Sequence, residues 1–239
     1  MNNIKDAIAF VLVGGLGTRL RSVIGSETPK PLALIDGEPF LKLLLHWLKK
    51  QGISRVVLGT GHLAEKFEHE ISAYAPEGMS IQFSREETPL GTGGAIRNAL
   101  PFLTSDPVIV MNGDSIVAAD LRALLKFHEE AESLATLALA PVPDASRFGT
   151  VIKDEEGKIT AYLEKTGQAV PGEINAGIYV ISQEFLNRLP DKDVFSFEKD
   201  VLAHTGENPS YAMTFESEFI DIGTPESFAQ ASAFFQRFL

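Results

Sequence analysis

The chain has 239 residues, 44% of them apolar and 22% charged; at ~150 residues per domain this is one elaborated domain or two small ones, with enough apolar material for a packed core. A formal net charge of −11 argues against nucleic acid or an anionic membrane as a partner, so an anionic substrate must be met by a local basic cluster. The absence of cysteine excludes disulfides, thiolate zinc sites, iron–sulfur clusters and a cysteine nucleophile, and the apolar stretch from Ile8 to Val13 is too short for a signal core or a membrane span, which implies a cytoplasmic setting.

Ala7 to Val13 is a continuous apolar run ending at Gly14-Gly15, the pattern of a strand buried on both faces of a parallel sheet. Phe40 to Gln51 has helical periodicity with a Gly52 stop, and Ser54 to Leu58 is again strand-like. The βαβ rhythm continues through a helix at Leu63 to Tyr74, a strand at Ser80 to Phe83, a helix at Gly94 to Phe102 and a strand at Val108 to Met111. A helix at Ala119 to Glu130 and a strand at Ala135 to Ala140 complete this half. From Gly149 the rhythm changes: Thr150 to Lys153 and Lys158 to Glu164 flank turn residues 154–157 as an antiparallel hairpin. Ile174 to Ile181, Tyr211 to Phe215 and Glu218 to Ile222 are further strands, and Thr224 to Phe238 is a closing helix whose phenylalanines suit packing on the body or on a second subunit. No repeat or flexible linker divides the chain, so the expectation is one domain, 1–239, with a cleft between lobes 1–140 and 141–239.

Gly14 to Leu20 reads G-G-L-G-T-R-L, in which glycines let the backbone approach an anion closely. The dinucleotide fingerprint fails at Leu20, although Asp36 stands where a ribose acid would; Gly25, Pro29 and Pro31 would break the helix that such a site needs. No Walker loop is present, because Gly157-Lys158 lies in a hairpin turn without the upstream glycine. Arg19, Arg21 and Lys30 supply the cations, and prolines on both sides hold Lys30 stiffly extended. Asp114 follows a buried strand, at the end where open α/β sheets hold ligands, and Asp221 also stands at a strand end. Two aspartates suit Mg²⁺, a hard ion that takes few carboxylates plus phosphate oxygens and water; taken singly, Asp114 also fits a turn and Asp221 a helix flank. Gly91 to Gly94 opens a helix whose bare N–H groups can meet a ribose or base, or is simply a glycine-rich helix start.

The glycine loop followed by Pro29-Lys30-Pro31-Leu32 is similar to the signature of the sugar-1-phosphate nucleotidylyltransferases. Leu90 to Ala95, Asn112-Gly113-Asp114, Glu164-Lys165, Asn175-Ala176-Gly177 and Phe219 to Glu226 resemble later motifs of that family, in its order. The resemblance implies a three-layer α/β/α Rossmann-like fold with a mixed, mainly parallel sheet and a smaller β-rich sugar lobe. It implies Mg²⁺-dependent attack of a sugar 1-phosphate on the α-phosphorus of a nucleoside triphosphate, with Mg²⁺ on Asp114 and Asp221. In that scheme Arg19 neutralises the β and γ phosphates, Lys30 the α-phosphate and Lys165 the sugar phosphate. Leu12, Gly14, Gly15, Gly17, Thr18, Glu86, Gly91, Thr92 and Gly113 would hold the nucleotide, and Gly149, Glu164 and Asn175 the sugar.

Arg19 to Val23, Glu87 to Ile96, Asp144 to Gly149 and Phe195 to Asp200 look most like the D-glycero-D-manno-heptose 1-phosphate guanylyltransferases. Glu86 and Glu87 favour guanine, whose pairing edge offers two donors that one carboxylate can accept, where uracil or thymine offers one. A uridylyl- or thymidylyltransferase, a mannose-1-phosphate guanylyltransferase and a non-catalytic nucleotide-sugar sensor are the rivals; the full set of Arg19, Lys30, Asp114, Lys165 and Asp221 counts against the sensor. Thr166 replaces the family's usual proline, and Val13 its commoner alanine. The length leaves no room for an appended β-helix or cupin domain, so a monofunctional monomer or homodimer is expected.

Overall fold

The computed structural model describes residues 3–15, 20–25, 28–61, 64–71, 73–163, 167, 169–204 and 210–238, with the backbone alone for 21, 65–67, 69 and 238. The first half runs β1 (Ile8–Leu12), α1 (Arg21–Ile24), β2 (Leu34–Ile35), β3 (Glu38–Pro39), α2 (Phe40–Gln51), β4 (Arg55–Thr60), α3 (Ala64–Ile71), β5 (Ser80–Arg85), α4 (Gly91–Ala99), β6 (Val108–Asn112), β7 (Ser115–Val117) and α5 (Leu121–Glu130). The second runs β8 (Ala135–Val142), β9 (Thr150–Lys153), β10 (Ile159–Leu163), β11 (Gly172–Ile181), α6 (Gln183–Leu186), β12 (Ser210–Thr214), β13 (Phe219–Asp221) and α7 (Pro225–Phe238).

Strands with near-continuous apolar runs must bury both faces, and here they do. Ile8, Phe10, Val57, Val108, Val110, Leu137, Leu139, Tyr179 and Ile181 join one core with Ala95, Ile96 and Ala99 of α4 and Phe185 of α6. Their alternating neighbours Ala9, Val11, Val56, Leu58, Ile109, Met111, Ala138, Ile178 and Val180 join the other, with the apolar faces of α2, α5 and α7. Period-two alternation thus assigns each strand residue to one of two helical layers, which is the three-layer α/β/α arrangement. Helix ends follow local chemistry. Gly52 adopts φ 102° and caps α2 by donating to the Leu48 and Lys49 carbonyls. Asp120 caps α5 by accepting from the Arg122 and Ala123 N–H groups. In α2 Trp47 is buried in the core, whereas its neighbour His46 faces outward.

The main sheet has the order β12-β8-β11-β6-β1-β4-β5, with β9 and then β10 branching from β11; β11 runs antiparallel to β6, β8 and β9, β9 runs antiparallel to β10, and the other pairs are parallel. β1 pairs with β4 on one side and β6 on the other, so the strand order reverses at the carboxyl end of β1, where open sheets leave a crevice. β11 is long enough to serve both halves: residues 178–181 pair with β6, while Ile174 pairs with Thr150 of β9. Between them Gly177 adopts φ +74°, and a Cβ there would lie 2.4 Å from Asn112 Nδ2, so glycine is required on both counts.

Several elements were not legible as strands or differ in extent. The β2–β3 hairpin and β7 are too short to show a period. α4 begins at Gly91, three residues before the expected Gly94, and gives way to a 3₁₀ turn at Leu100–Phe102, where Pro101 has no N–H to continue it. The closing helix α7, grouped by sequence with 141–239, packs back on the first half: Phe235 meets Phe40 edge-on at 5.6 Å, and Ser232 and Gln236 donate to Asp36. Asp36 is therefore engaged with a helix and not with a ribose.

Candidate active site

The crevice at the end of β1 and β6 is a cavity of about 310 Å³ lined by Leu12, Gly14, Gly15, Glu86, Pro89, Gly91, Thr92, Ala95, Asn112, Asp114 and Glu198. Of the expected nucleotide residues, Leu12, Gly14, Gly15, Glu86, Gly91 and Thr92 lie on its wall. A Cβ on Gly14 would stand 2.9 Å from Glu86 Oε1 and 3.4 Å from Gly61 N, so only glycine lets the carboxylate come this near the loop, while Gly15 faces open space. Burial raises the Glu86 carboxyl above its ordinary value, partly offset by the hydrogen bond it accepts from the Leu90 N–H. Gly113 is not on the wall. Its N–H donates to the Leu12 carbonyl at 2.9 Å, and a Cβ would lie 2.5 Å from Val13 Cγ1, so it lets the ends of β1 and β6 close together.

Asp114 and Asp221 are distant in sequence, and the β7–β13 ribbon joins them: Asp221 pairs with Ser115, and the Ile222 N–H donates to the Asp114 carbonyl at 2.8 Å. Lys30 is only 9% exposed and opens a 3₁₀ turn, Lys30–Leu32, in place of the extended backbone expected from its flanking prolines. A buried ammonium needs a counter-ion, and its Nζ lies 2.6 Å from Asp114 Oδ2. It also lies 3.6 Å from where a Gly223 Cβ would be, and the Gly223 N–H donates to Asp221 Oδ1 at 2.7 Å. The second oxygen of Asp221 pairs with Arg147 Nη2 at 3.2 Å, and that guanidinium stacks over the Phe148 ring. Two carboxylates and two cations thus share one corner beside the cavity. Among the described residues no three acids or histidines cluster; the two neighbouring aspartates would suit Mg²⁺, a hard ion completed by phosphate oxygens and water, better than a metal that needs a full protein cage.

The glycines of α4 serve the fold. Cβ atoms on Gly91, Gly93 and Gly94 would lie 2.6 Å from Phe195 O, 2.2 Å from the Phe195 ring and 2.3 Å from Asp193 O. The Gly93 and Gly94 N–H groups both donate to the Phe195 carbonyl, so those two are occupied and not bare as expected. The Thr92 hydroxyl donates to Glu198 Oε2 at 2.7 Å and accepts from the Phe197 N–H at 2.9 Å. Of the residues expected at the sugar, a Cβ on Gly149 would lie 3.0 Å from the Tyr162 ring, and Asn175 donates to the hydroxyls of both Tyr162 and Tyr179 at 2.9 Å. Burial, then the nearby Glu198 charge, raises the Tyr179 hydroxyl well above its ordinary value, so it stays a protonated donor.

Gly17, Thr18, Arg19, Glu164 and Lys165 lie outside the described residues, as does Thr166. Sequence reasoning gave no role to Arg147, Glu198 or Asn112. Arg147 and Glu198 stand inside the Asp144 to Gly149 and Phe195 to Asp200 motifs, and Asn112 begins Asn-Gly-Asp; the motifs were visible, but their partners were not. Glu198 opens a π-helical turn, Glu198–Leu202, an irregularity common at functional sites.

The chain is 39% identical over 232 residues to the D-glycero-alpha-D-manno-heptose 1-phosphate guanylyltransferase of Aneurinibacillus thermoaerophilus, covering 97% of this chain and 99% of that protein. It is 41% identical over 228 residues to the mannose-1-phosphate guanylyltransferase of Mycobacterium tuberculosis, covering 94% of this chain but 63% of the relative. Its structure is similar to HddC from Yersinia pseudotuberculosis complexed with GMP-PN, with a TM-score of 0.85, 33% identity, and 96% and 99% of the two chains covered. The family profile described as Nucleotidyl transferase matches residues 8–237, from the first strand to the last helix of the sheet that builds this cavity, and the chain belongs to that family.

Proposed function

We propose that this chain transfers a guanylyl group from GTP to D-glycero-D-manno-heptose 1-phosphate, as a cytoplasmic monomer or homodimer working as one domain with two lobes. The sugar-phosphate oxygen forms a bond to the α-phosphorus, the bond to the β-phosphate breaks, and pyrophosphate leaves with the electron pair. The observation that carries this reading is the meeting of Lys30, Asp114, Asp221 and Arg147 beside a cavity that also holds the Glu86 carboxylate. Full-length similarity to a heptose 1-phosphate guanylyltransferase supports the sugar, and Glu86 supports guanine.

Two anions must meet, so positioning and charge neutralisation supply the catalysis and no protein nucleophile is needed. Lys30 is fixed by its prolines and by Asp114, and offers its ammonium to the α-phosphate without a reorganisation cost. Arg19 takes the β and γ phosphates and Lys165 the sugar phosphate. Asp114 and Asp221 would hold Mg²⁺, which supplies charge screening to the triphosphate when bound. Leu12, Gly14 and Gly15 line the nucleoside, and Gly149, Glu164 and Asn175 bound the sugar.

The test is pyrophosphate release with GTP, UTP, dTTP and ATP against heptose, mannose and glucose 1-phosphates. GTP with the heptose should give the highest kcat/KM, and Glu86→Gln should narrow the preference for GTP over UTP. A tenfold preference of wild type for UTP or dTTP would overturn the guanine assignment, and faster turnover of mannose 1-phosphate would reassign the sugar.

A further inference from the structure

Glu198 is a hub that nothing in the reaction scheme requires. Its Oε2 accepts from the Thr92 hydroxyl at 2.7 Å and the Ser196 hydroxyl at 3.0 Å, and its Oε1 accepts from the Tyr179 hydroxyl at 3.3 Å. Tyr179 in turn accepts from Asn175, whose Oδ1 is fixed by the Gly177 N–H at 2.9 Å. Every proton in this chain points toward Glu198, because a carboxylate accepts and does not donate.

The consequence falls on Thr92, which lines the cavity with Glu198. A hydroxyl has one proton and two lone pairs. The proton of Thr92 is given to Glu198 and one lone pair receives the Phe197 N–H, so only an accepting lone pair remains for a ligand. We propose that Glu198 is a positioning residue that makes Thr92 an acceptor-only contact, so that the nucleoside must present a hydrogen-bond donor at that point. A nucleoside has such donors in its ribose hydroxyls and in the N–H groups of its base, and an analogue without the matching one leaves Thr92 desolvated and unpaired. This inference rests on the proposed function, since it takes the cavity to be the nucleotide site.

Glu198→Gln separates the polarity of the contact from its shape. Tyr179 is fully enclosed and its proton needs an acceptor, so the amide oxygen stays on that side. The amide NH₂ then faces Thr92 and Ser196, whose hydroxyls can turn, and the Thr92 proton is released toward the cavity. Thr92→Val removes the contact altogether, and Thr92→Ser keeps it.

The experiment measures equilibrium affinity and kcat/KM for GTP, 2′-deoxy-GTP, 3′-deoxy-GTP and ITP, the analogues lacking the 2′-hydroxyl, the 3′-hydroxyl and the base amino group in turn. Wild type should lose about 10- to 100-fold with one of the three. Glu198→Gln and Thr92→Val should reduce that same penalty to about threefold or less and leave the other two in place, while Thr92→Ser retains it. A Glu198→Gln profile superimposable on that of wild type, whatever the change in melting temperature, overturns the inference, as does a wild type indifferent to all three analogues. A wild type that binds no guanine nucleotide removes the proposed function as well.

Discussion

Arg147 pairs with Asp221 while its side chain is 45% exposed, and an ion pair that wet adds little to stability. What it changes is local charge: with Lys30 it balances Asp114 and Asp221, so the divalent ion proposed for those acids would leave the corner net positive, as a polyphosphate needs. Arg147→Met should therefore leave the melting temperature within a few degrees of wild type and lower kcat/KM by about tenfold or more, the worth of a charge-assisted hydrogen bond to phosphate. Steady-state kinetics beside a thermal melt decide the matter, and unchanged kcat/KM would make Arg147 a bystander. Lys30 stood out in the sequence because prolines bracket it; the pairing of Arg147 with Asp221 did not, because the partner comes from a distant strand.

At the level of elements, the docking of α4 on residues 193–197 explains why three glycines stand at its start. A Cβ on Gly94 would meet the Asp193 carbonyl oxygen, which belongs to the backbone and cannot swing aside. Gly94→Ala should cost about 1–3 kcal/mol of unfolding free energy through overpacking. Gly15→Ala, with nothing within 4 Å of its Cβ, should stay within about 0.5 kcal/mol of wild type. Urea denaturation of both variants tests this, and equal losses would mean that the glycines act through conformational entropy and not through contact. The glycine run was visible in the sequence as a helix start whose N–H groups could meet a ribose or base; its packing partner was hidden, since the strap that it packs against lies about a hundred residues away.

Across the whole molecule, α5 is tied to the sheet by a buried polar contact, His128 Nδ1 to Thr136 Oγ1 at 2.9 Å. Burial lowers the His128 pKa to about 4, against weaker opposing effects of Asp106 and Glu129. An unfolded chain, with histidine near 6.5, then binds more protons than the native state between about pH 4 and 6.5, so stability is full above that window and falls as the pH drops through it. The loss by pH 4 should be on the order of 3 kcal/mol from this group. Denaturant titrations from pH 7 to 4 should show a shallower slope for His128→Asn than for wild type; parallel curves would assign the acid sensitivity elsewhere.

The sequence alone determined the layered α/β architecture, because Ile8–Leu12 is apolar at every position and the central strand beside it is apolar from Val108 to Met111, and such runs can only be buried on both faces. It also determined the chemistry on offer, through residues whose types carry charge or permit close approach. Only the tertiary structure decided that the β7–β13 ribbon sets Asp221 beside Asp114, that Arg147 completes that corner, and that Glu198 collects protons from Thr92 and Tyr179. Those pairings join residues far apart along the chain, and a carboxylate's partner is fixed by where folding delivers a donor, which no local periodicity or propensity encodes.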